Sequence, residues 1–442
     1  MNPLTPDTRH PAPKKFFFVT LGCKVNQYES EAMQKLFEAA GYVAADDISD
    51  ADVVVVNTCT VTAVSSQKSR QMIRRAAGAN QNSVVAVVGC YAQSEPEVVA
   101  AIDGVDVVIG TRDRTRIVEL VEDALTRREK ILQVGTVDEI HAFEELPHAP
   151  QRTRAFLKIE DGCNNFCAYC IIPFVRGRVR SRSLDSIRDE SLKLAAAGFK
   201  EIVLTGIHVG AYGRDFGGKV TLVDAVKTVL DAANPLRLRL GSIESVEMSD
   251  ALIDLLKSDG RICNHVHLPL QSGSDEILRA MRRPYTTKQF AELTARLVDE
   301  VPEISIGTDL IVGFPGETDE NFSQTLEFIR SQPFAKIHVF PFSARAGTVA
   351  ATLPNQIQSS TKKLRAGRAL EISRDKSKLF AERLIGHTVD IIAETSTDGL
   401  VDGLTKNYVR VYLPDENISL GNVIKVRVEK LFRDGVIGKL WR

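Results

Sequence analysis

The sequence predicts an α/β protein of three modules: an amino-terminal doubly wound parallel sheet, a partial barrel of six strand–helix units, and a small carboxyl-terminal antiparallel β-barrel. Three observations support this prediction. Valine-rich apolar runs alternate with helical stretches in the first third of the chain, as in parallel sheets buried on both faces. Six strand-like runs separated by amphipathic segments follow. From Gly386 onward, runs of alternating hydrophobicity are separated by Asp-Gly and Pro-Asp turns.

Composition limits the class of protein. At 442 residues the chain is too long for one ordinary core. Its 44% apolar and 26% charged residues are typical of a globular protein, and no apolar run has the length of a membrane span. No signal peptide is recognisable, and the seven cysteines include three at metal-like spacing, so we expect a cytoplasmic protein with metal-bound thiolates rather than disulfides. The net charge of −1 gives no support by itself to a nucleic-acid partner.

Module boundaries follow from these patterns. We expect a disordered tail over residues 1–14, the sheet over 15–135, a linker over 136–152, the barrel with a final basic helix over 153–382, and the small barrel over 383–442. Residues 361–383 carry eight Lys or Arg against three Asp or Glu, so this helix presents a basic strip. The segment after it is charge-balanced, so charge does not identify the small barrel as an RNA-binding module.

Three cysteines end three of the predicted parallel strands. Cys23, Cys59 and Cys90 close the runs FFFVTLGC, DVVVVNTC and SVVAVVGC. Open α/β sheets bind their ligands at the carboxyl edge of their strands, so the fold can bring these thiols together. A single cysteine at a strand end is usually a small buried side chain. Three such positions together indicate a site for an iron–sulfur cluster with three thiolate ligands.

A second cysteine group, Cys163, Cys167 and Cys170, has the spacing CxxxCxxC in DGCNNFCAYC, directly after the first barrel strand. Iron–sulfur clusters are held by cysteine thiolates, and three ligands on a four-iron cluster leave one iron open to a small molecule. The alternative is a structural zinc knuckle. Structural zinc takes four ligands, and no fourth cysteine or histidine lies at short spacing. The spacing therefore favours a cluster.

With Tyr169 completing CxxxCxYC, the chain resembles the radical S-adenosylmethionine superfamily. Further motifs extend the resemblance to the methylthiotransferases of that superfamily, among them TLGCKVNQYESE, NTCTVTAVSSQKSR, VGCYAQ, LTGIHVGAYG, HLPLQSGSD and TDLIVGFPGET. That family joins an amino-terminal cluster domain, a radical S-adenosylmethionine barrel and a carboxyl-terminal TRAM barrel that contacts substrate. The resemblance implies two [4Fe-4S] clusters, each with three of the six cysteines as ligands, and S-adenosylmethionine as cosubstrate.

The resemblance also implies roles for the two sites. Cys163, Cys167 and Cys170 would support reductive cleavage of S-adenosylmethionine, and Cys23, Cys59 and Cys90 would support sulfur transfer. For the cofactor pocket, motif position and strand-end location indicate Tyr169, Thr205, Gly206, Ser242, Glu244, Gln271 and Ser272. Helix capping is an alternative role for Ser242, Glu244 and Gln271.

The motif GCKVNQYES is similar to that of the branch acting on N6-threonylcarbamoyladenosine at position 37 of tRNA, beside the anticodon. Other branches act on isopentenyladenosine in tRNA, with GCQMN, or on a ribosomal-protein aspartate, with GCPKN. By resemblance alone, Lys24, Asn26 and Gln27 are then substrate contacts, the partner is the tRNA anticodon arm, and an electron donor such as flavodoxin or ferredoxin is required. An iron–sulfur protein that binds RNA without catalysis is the alternative from another class.

Four arginines alternate along RGRVRSR: Arg176, Arg178, Arg180 and Arg182. In an extended segment this alternation places four guanidinium groups on one side, where they could bind phosphates or the cofactor carboxylate. The alternative is a solvated run of charges.

Overall fold

The computed structural model describes residues 13–233 and 237–441. The disordered tail expected over residues 1–14 lies outside the described residues, apart from its last two positions. The chain divides into two compact units. Unit 1 comprises the chain up to Glu139 together with Glu144–Ala149, and unit 2 comprises Ile140–Phe143 and Pro150–Arg442. The segment expected to be a linker, residues 136–152, is thus shared between the two units.

Unit 1 contains a six-stranded sheet in which all strands are parallel, in the order β2-β1-β3-β4-β5-β6. The strands are β1 (Lys15–Thr20), β2 (Val43–Ala44), β3 (Val53–Thr58), β4 (Val84–Gly89), β5 (Val107–Ile109) and β6 (Ile131–Gln133). The helices are α1 (Lys24–Ala39), α2 (Ala63–Ala79), α3 (Cys90–Ser94), α4 (Pro96–Ala100) and α5 (Ile117–Arg127), with 3₁₀ turns at Ile48–Asp50, Arg114–Arg116 and Val137–Glu139. The doubly wound parallel sheet is confirmed.

Valine fills both faces of this sheet. Along β3, Val53 and Val55 pack into one apolar cluster and Val54 and Val56 into another, because successive side chains of a strand point to opposite faces. All four are fully buried, as expected for a sheet covered by helices on both sides. The prediction missed the short edge strands β2 and β6. Helix α1 begins at Lys24, directly after the first cysteine, with Cys23 as its N-cap residue.

Unit 2 begins with the partial barrel. Its strands are β7 (Ala155–Lys158), the paired β8 (Glu160–Asp161) and β9 (Arg180–Ser181), and then β10 (Glu201–Thr205), β11 (Arg237–Arg239), β12 (His265–His267), β13 (Ser305–Val312) and β14 (Phe334–Pro341). The helices are α6 (Ile172–Arg176), α7 (Leu184–Ala196), α8 (Leu222–Ala232), α9 (Asp250–Ser258), α10 (Asp275–Ala280), α11 (Thr287–Glu300), α12 (Asp319–Ser331), α13 (Val349–Thr352) and α14 (Ser359–Glu382), with 3₁₀ turns at Val209–Ala211, Arg214–Phe216 and Ser245–Glu247.

Six of these strands form one curved row. The parallel sheets β11-β10-β7 and β12-β13-β14 are joined by parallel bridges between Leu238 and Ile262 and between Ser242 and His267. The row runs from β7 to β14, which confirms the partial barrel of six units. The basic helix α14 packs against the last strand, where the Ser373 hydroxyl donates to the Ile337 carbonyl and accepts from its N–H.

The small barrel closes unit 2 with β15 (Thr388–Thr397), β16 (Leu400–Leu404), β17 (Arg410–Pro414), β18 (Val423–Phe432) and β19 (Gly435–Leu440), in the closed order β15-β16-β17-β19-β18. The sequence predicted antiparallel pairing throughout, and one pair differs. Because β18 already pairs with β15, β19 closes the barrel on β17, and these two strands are parallel. Five-stranded closed barrels of this type are a common oligonucleotide-binding scaffold.

A buried arginine fixes the small barrel to the amino-terminal ends of the barrel strands. Arg239 is fully buried, donates to the Glu201 carboxylate at 2.6 Å, and donates to the backbone carbonyls of Thr405 and Lys406. Its guanidinium lies 4.8 Å from the centre of the Tyr408 ring. Burial alone would raise the pKa of Glu201, but Arg239 outweighs this effect and lowers it. The contact is thus a satisfied buried ion pair at the end of the barrel opposite the strand ends that carry chemistry.

Within the described residues, no helix combines the length and the hydrophobicity that crossing a membrane requires.

Candidate active site

The CxxxCxYC loop follows β8 and leads into α6. Gly162 has a φ of +92°, and a Cβ at this position would lie 2.0 Å from the Arg178 carbonyl oxygen, so the turn requires glycine. The Cys163 N–H donates to the Gly177 carbonyl at 3.0 Å, and the Cys170 N–H donates to the Cys167 carbonyl at 3.0 Å. Cys167 is buried, whereas Cys163 and Cys170 are partly exposed. The loop therefore folds against its own continuation and groups the three thiols.

Two cationic side chains contact these thiols. His208 Nδ1 lies 3.4 Å from Cys163 Sγ, and its Nε2 lies 2.8 Å from a Glu247 carboxylate oxygen. Arg283 Nη1 donates to Cys167 Sγ at 3.3 Å, and the same guanidinium is paired with Glu244. Sequence reasoning did not find Arg283 or Glu247 and considered His208 only as a remote metal ligand. The occurrence of His208 in LTGIHVGAYG was the one available signal.

The environment of the thiols fits a cationic ligand. Burial raises the pKa of Cys170 to about 12, and the neighbouring Cys167 and Cys163 add to this effect, so a Cys170 thiolate needs a positive partner such as iron. Burial opposes a charge on His208, but its hydrogen bonds to Cys163 and Glu247 outweigh burial and raise its pKa to about 10.

No three His, Cys, Asp or Glu side chains converge on a single metal ion within residues 13–233 and 237–441. A structural zinc site requires such convergence, because all its ligands bind one ion. In a four-iron cluster each thiolate binds a different iron, so the thiols stand further apart. A cluster therefore does not require the three thiols to converge on one point.

The residues expected around the cofactor lie near this loop with different exposures. Thr205 is buried at the end of β10, and Gly206 follows it directly. Tyr169 lies within the cysteine loop, directly before Cys170, where burial raises its pKa and Arg283 opposes this effect. Ser242 is exposed, and Glu244 is half-buried on Arg283. All four side chains belong to the carboxyl-end region of the barrel.

Gln271 and Ser272, the other two residues expected around the cofactor, have different local environments. Gln271 has a φ of +69°, a strained conformation for a residue with a side chain, and strain of this kind concentrates at functional sites. Ser272 is fully buried, and its hydroxyl lies 3.4 Å from Thr325 Oγ1 and accepts from the Ser274 N–H. The Ser272 side chain thus holds the loop against α12, and its role in the cofactor pocket stays a prediction.

A buried carboxyl group three residues before the first cysteine was also missed. Glu160 Oε2 accepts from the His208 N–H at 2.6 Å, whereas Glu160 Oε1 has no hydrogen-bond partner. Burial raises the pKa of Glu160 to about 8, the neighbouring Asp161 adds to this effect, and the His208 N–H and the Lys158 ammonium oppose it. At neutral pH the raised pKa of Glu160 therefore favours its protonated form, whereas an exposed carboxyl is ionised.

Replacement of Glu160 by glutamine is expected to change how stability depends on pH. The folded-state pKa of about 8 lies above the unfolded value of 4.5, so the protonated carboxyl favours folding below pH 4.5 and this contribution is lost as pH rises through 8. Wild type should lose up to about 1.4 kcal/mol per pH unit relative to E160Q across this window. Urea unfolding at several pH values measures the difference, with the exposed Glu327→Gln as control. Parallel pH profiles for wild type and E160Q would contradict the prediction.

The arginine run does not form the row that its alternation predicted. Arg176 lies in α6, is fully buried, and contacts Asp161 at 3.1 Å. Arg180 contacts the same carboxylate at 3.5 Å, and Arg182 is paired with Glu190. Arg178 is the exposed member of the four. The predicted row of four guanidinium groups along an extended segment is therefore wrong, because Arg176 lies in a helix and Asp161 and Glu190 pair with the three buried guanidinium groups.

In unit 1, the fold brings Cys23, Cys59 and Cys90 to one edge of the sheet. They follow β1, β3 and β4, which are adjacent, and Thr58 pairs with Gly89 immediately before the second and third cysteine. A Cβ on Gly22 would lie 3.1 Å from Cys59 Sγ, which shows how closely the first loop approaches the second. The strand order reverses between β1 and β3, and such switch points are the ligand sites of open α/β sheets. Cys23 and Cys59 lie on either side of this switch point.

The residues after Cys23 have different roles. Asn26 is buried and donates to the carbonyls of Leu21 and Thr58, at 2.8 and 2.9 Å. It joins the loop of the first cysteine to the strand of the second, and its substrate contact stays a prediction. Lys24 and Gln27 are partly exposed on the first turns of α1.

Comparison with known proteins agrees with the fold. Residues 15–110 match the model of uncharacterized protein family UPF0004, and residues 157–329 match that of the radical S-adenosylmethionine superfamily. Among solved structures, the chain is similar to the radical S-adenosylmethionine methyltransferase TsrM from Kitasatospora setae, with a TM-score of 0.57 and 15% identity over 88% of this chain and 80% of that one. The barrel and its cysteine loop are those of a radical S-adenosylmethionine enzyme, a class that uses a [4Fe-4S] cluster and S-adenosylmethionine.

Similarity to curated proteins extends over nearly the whole chain. It is 41% identical to a threonylcarbamoyladenosine tRNA methylthiotransferase of Bacillus subtilis, over 93% of both chains. It is 35% identical to a protein of the same name from Thermotoga maritima, over 95% of both. It is 33% identical to a tRNA-2-methylthio-N(6)-dimethylallyladenosine synthase of Acetivibrio thermocellus, over 94% of this chain and 88% of that one. The chain belongs to the radical S-adenosylmethionine methylthiotransferase family.

Proposed function

We propose that this enzyme methylthiolates C2 of N6-threonylcarbamoyladenosine at position 37 of tRNA. The observation that carries the proposal is the 41% identity to the Bacillus subtilis enzyme over 93% of both chains. Compared with this enzyme, relatives named for dimethylallyladenosine are less similar, at 35% identity for the Moorella thermoacetica protein, which equals the identity to the Thermotoga maritima enzyme. The motif GCKVNQYES, from Gly22 to Ser30, favours the same branch. We expect the reaction to take place in the cytoplasm, with a flavodoxin or ferredoxin as electron donor.

The cofactor assignment uses both groups of cysteines. Cys163, Cys167 and Cys170 hold one [4Fe-4S] cluster, and Cys23, Cys59 and Cys90 hold a second one with three thiolate ligands. When bound, the clusters supply the electron for cleavage of S-adenosylmethionine and the site for sulfur transfer, because an unactivated adenine carbon offers little to acid–base catalysis. The protein would hold the thiols, place Tyr169 within the barrel cysteine loop and place Glu244 against Arg283, which contacts that loop.

An open groove in unit 2 supports an RNA partner. A cavity of about 760 Å³ lies between β14, α14 and the β18–β19 hairpin. Its lining is largely apolar, and it also includes five basic side chains and one acidic side chain: Lys336, His338, Arg374, Lys378, Arg433 and Asp434. Phe340, 43% exposed, and Phe432 add aromatic surface. Cations beside aromatic rings are typical of grooves that hold single-stranded nucleic acid, so we place the anticodon arm here.

Removal of two groove cations is expected to weaken tRNA binding in a salt-dependent way. Arg374 and Lys378 lie on the exposed face of α14, where alanine is a good helix former. The double variant R374A/K378A should reduce the slope of log affinity against log salt by about 2. Fluorescence anisotropy with an anticodon stem-loop measures this slope. The matched control is R188A/K288A, which removes two exposed cations outside the groove; equal slopes in both variants would contradict the placement.

The substrate is tested by nucleoside mass spectrometry of tRNA from cells that lack the gene. We expect 2-methylthio-N6-threonylcarbamoyladenosine to disappear and its unmethylthiolated precursor to accumulate. A plasmid copy should restore the product, and a copy carrying Cys163→Ala should not. Loss of the methylthio-isopentenyl nucleoside instead would favour the other tRNA branch. Unchanged methylthio nucleosides, together with iron-loaded protein that binds tRNA, would favour the non-catalytic alternative.

A further inference from the structure

We propose that Arg283 and His208 are positioning residues that raise the reduction potential of the cluster bound by the barrel cysteines, and that one segment, residues 242–247, holds both of them in place. The inference rests on the proposed function, which makes Cys163, Cys167 and Cys170 the ligands of that cluster. It goes beyond that function because it concerns side chains that bind neither iron nor, in this role, substrate.

The first contact is that of Arg283 with the Cys167 thiol. Arg283 is 7% exposed and donates to Cys167 Sγ at 3.3 Å. Its Nε donates to Tyr285 Oη at 3.0 Å, and its remaining terminal nitrogen is paired with Glu244. The guanidinium is held from three sides, and because arginine stays protonated it is a permanent charge beside the sulfur.

The second contact is that of His208 with the Cys163 thiol, and it too has a carboxylate on the far side of the nitrogen group. His208 is 4% exposed, and its imidazole lies between Cys163 Sγ and the Glu247 carboxylate. A carboxylate only accepts hydrogen bonds, so Nε2 carries a proton toward Glu247. The other ring nitrogen, Nδ1, lies 3.4 Å from Cys163 Sγ, within reach of a hydrogen bond to that sulfur. Cys163 Sγ also accepts from the Asn165 N–H at 3.5 Å.

Both acidic partners come from the same short segment. Glu244 and Glu247 belong to SIESVE, which follows β11 and contains the 3₁₀ turn Ser245–Glu247. A single turn therefore carries two carboxylates, each of which holds a different cation against a different thiol. Two independent carboxylate–cation–thiol contacts with the same order of groups indicate a shared electrostatic role.

The expected consequence is a change in the one-electron reduction of the barrel cluster. A low-potential one-electron reductant supplies the electron. No bond forms or breaks in this step, and no proton is transferred. Reduction increases the negative charge on the cluster and its thiolates, so a nearby cationic donor stabilises the reduced form. Hydrogen bonds to the sulfurs and net charge are among the factors that set iron–sulfur potentials.

The test is a redox titration followed by electron paramagnetic resonance, with dithionite as reductant. The full-length chain carries alanine at Cys23, Cys59 and Cys90, so that only the barrel cluster contributes. R283M keeps the side-chain volume but removes the charge and the donors. We expect its equilibrium constant for reduction to fall at least tenfold, which for one electron is about 59 mV toward more negative potential. R283K, which retains the charge, should recover part of the shift.

Two further variants separate an electrostatic role from a structural one. R239M removes an equally buried arginine from an ion pair at the opposite end of the barrel and should leave the potential unchanged. H208Q acts on another thiol and should lower the potential independently, so a folding failure of R283M would not leave the proposal without a test. Equal potentials in wild type, R283M and H208Q would overturn the inference while the proposed function stands. Absence of iron from the cysteine-substituted background would instead contradict the cluster assignment.

Discussion

Alanine at Cys163, Cys167 and Cys170 is expected to abolish reductive cleavage of S-adenosylmethionine. Under the proposed assignment, the barrel without these thiolates has no cluster to deliver an electron to the sulfonium of S-adenosylmethionine. A fall in 5′-deoxyadenosine formation of about 10³-fold, or about 4 kcal/mol in barrier, is the smallest effect consistent with this role. Mass spectrometry of the anaerobic reaction with dithionite measures it.

The control for this variant is the seventh cysteine. Cys263 is fully buried, and its thiol lies 3.9 Å from a Glu201 carboxylate oxygen, away from the cysteine loop. Cys263→Ala removes one small buried side chain and should retain cleavage. If cleavage survives in the triple variant, or is lost equally in Cys263→Ala, the barrel cysteines do not have the assigned role.

Alanine at Cys23, Cys59 and Cys90 is expected to retain cleavage of S-adenosylmethionine and to abolish methylthiolation of the nucleoside. The barrel thiols and their partners belong to unit 2 and are unchanged, so deoxyadenosine should form within about threefold of the wild-type rate, less than 1 kcal/mol in barrier. Methylthiolated nucleoside should fall to background because the site of sulfur transfer is lost. Both products are measured in one reaction with tRNA that carries threonylcarbamoyladenosine.

The informative result is whether deoxyadenosine and the methylthiolated nucleoside are lost together or separately. A cluster that only relays electrons would have four protein thiolates and would affect both products together. If the second triple variant still produces methylthiolated nucleoside, the sulfur-transfer assignment is wrong. If it loses cleavage as well, the amino-terminal site supports electron delivery instead.

The sequence predicted those parts of the fold that depend on local pattern. The valines of β3 and β4 are buried on both faces, and a continuous apolar run indicates such a strand without knowledge of its neighbours. The edge strands β2 and β6 have two and three residues, too few for a period to be recognised. The parallel pair β17–β19 was missed because closure of a barrel depends on strands distant in sequence.

In the candidate site, too, the sequence predicted what depends on local pattern and missed contacts between residues distant in sequence. Its cysteines are recognisable from spacing and from strand ends. Arg283 lies 116 residues from Cys167, and His208 lies 45 residues from Cys163, so only the fold shows that they contact these thiols. The alternation of Arg176, Arg180 and Arg182 suggested an exposed row, but the carboxylates of Asp161 and Glu190 make burial of these charges favourable.

The most direct test of the two-cluster assignment is the iron and acid-labile sulfide content of anaerobically reconstituted protein. Wild type should hold about eight irons and about eight sulfides per chain, and each triple cysteine variant about four of each. Zinc in place of iron, or a wild-type content that neither triple substitution lowers, would contradict the assignment of one cluster to each group of three cysteines.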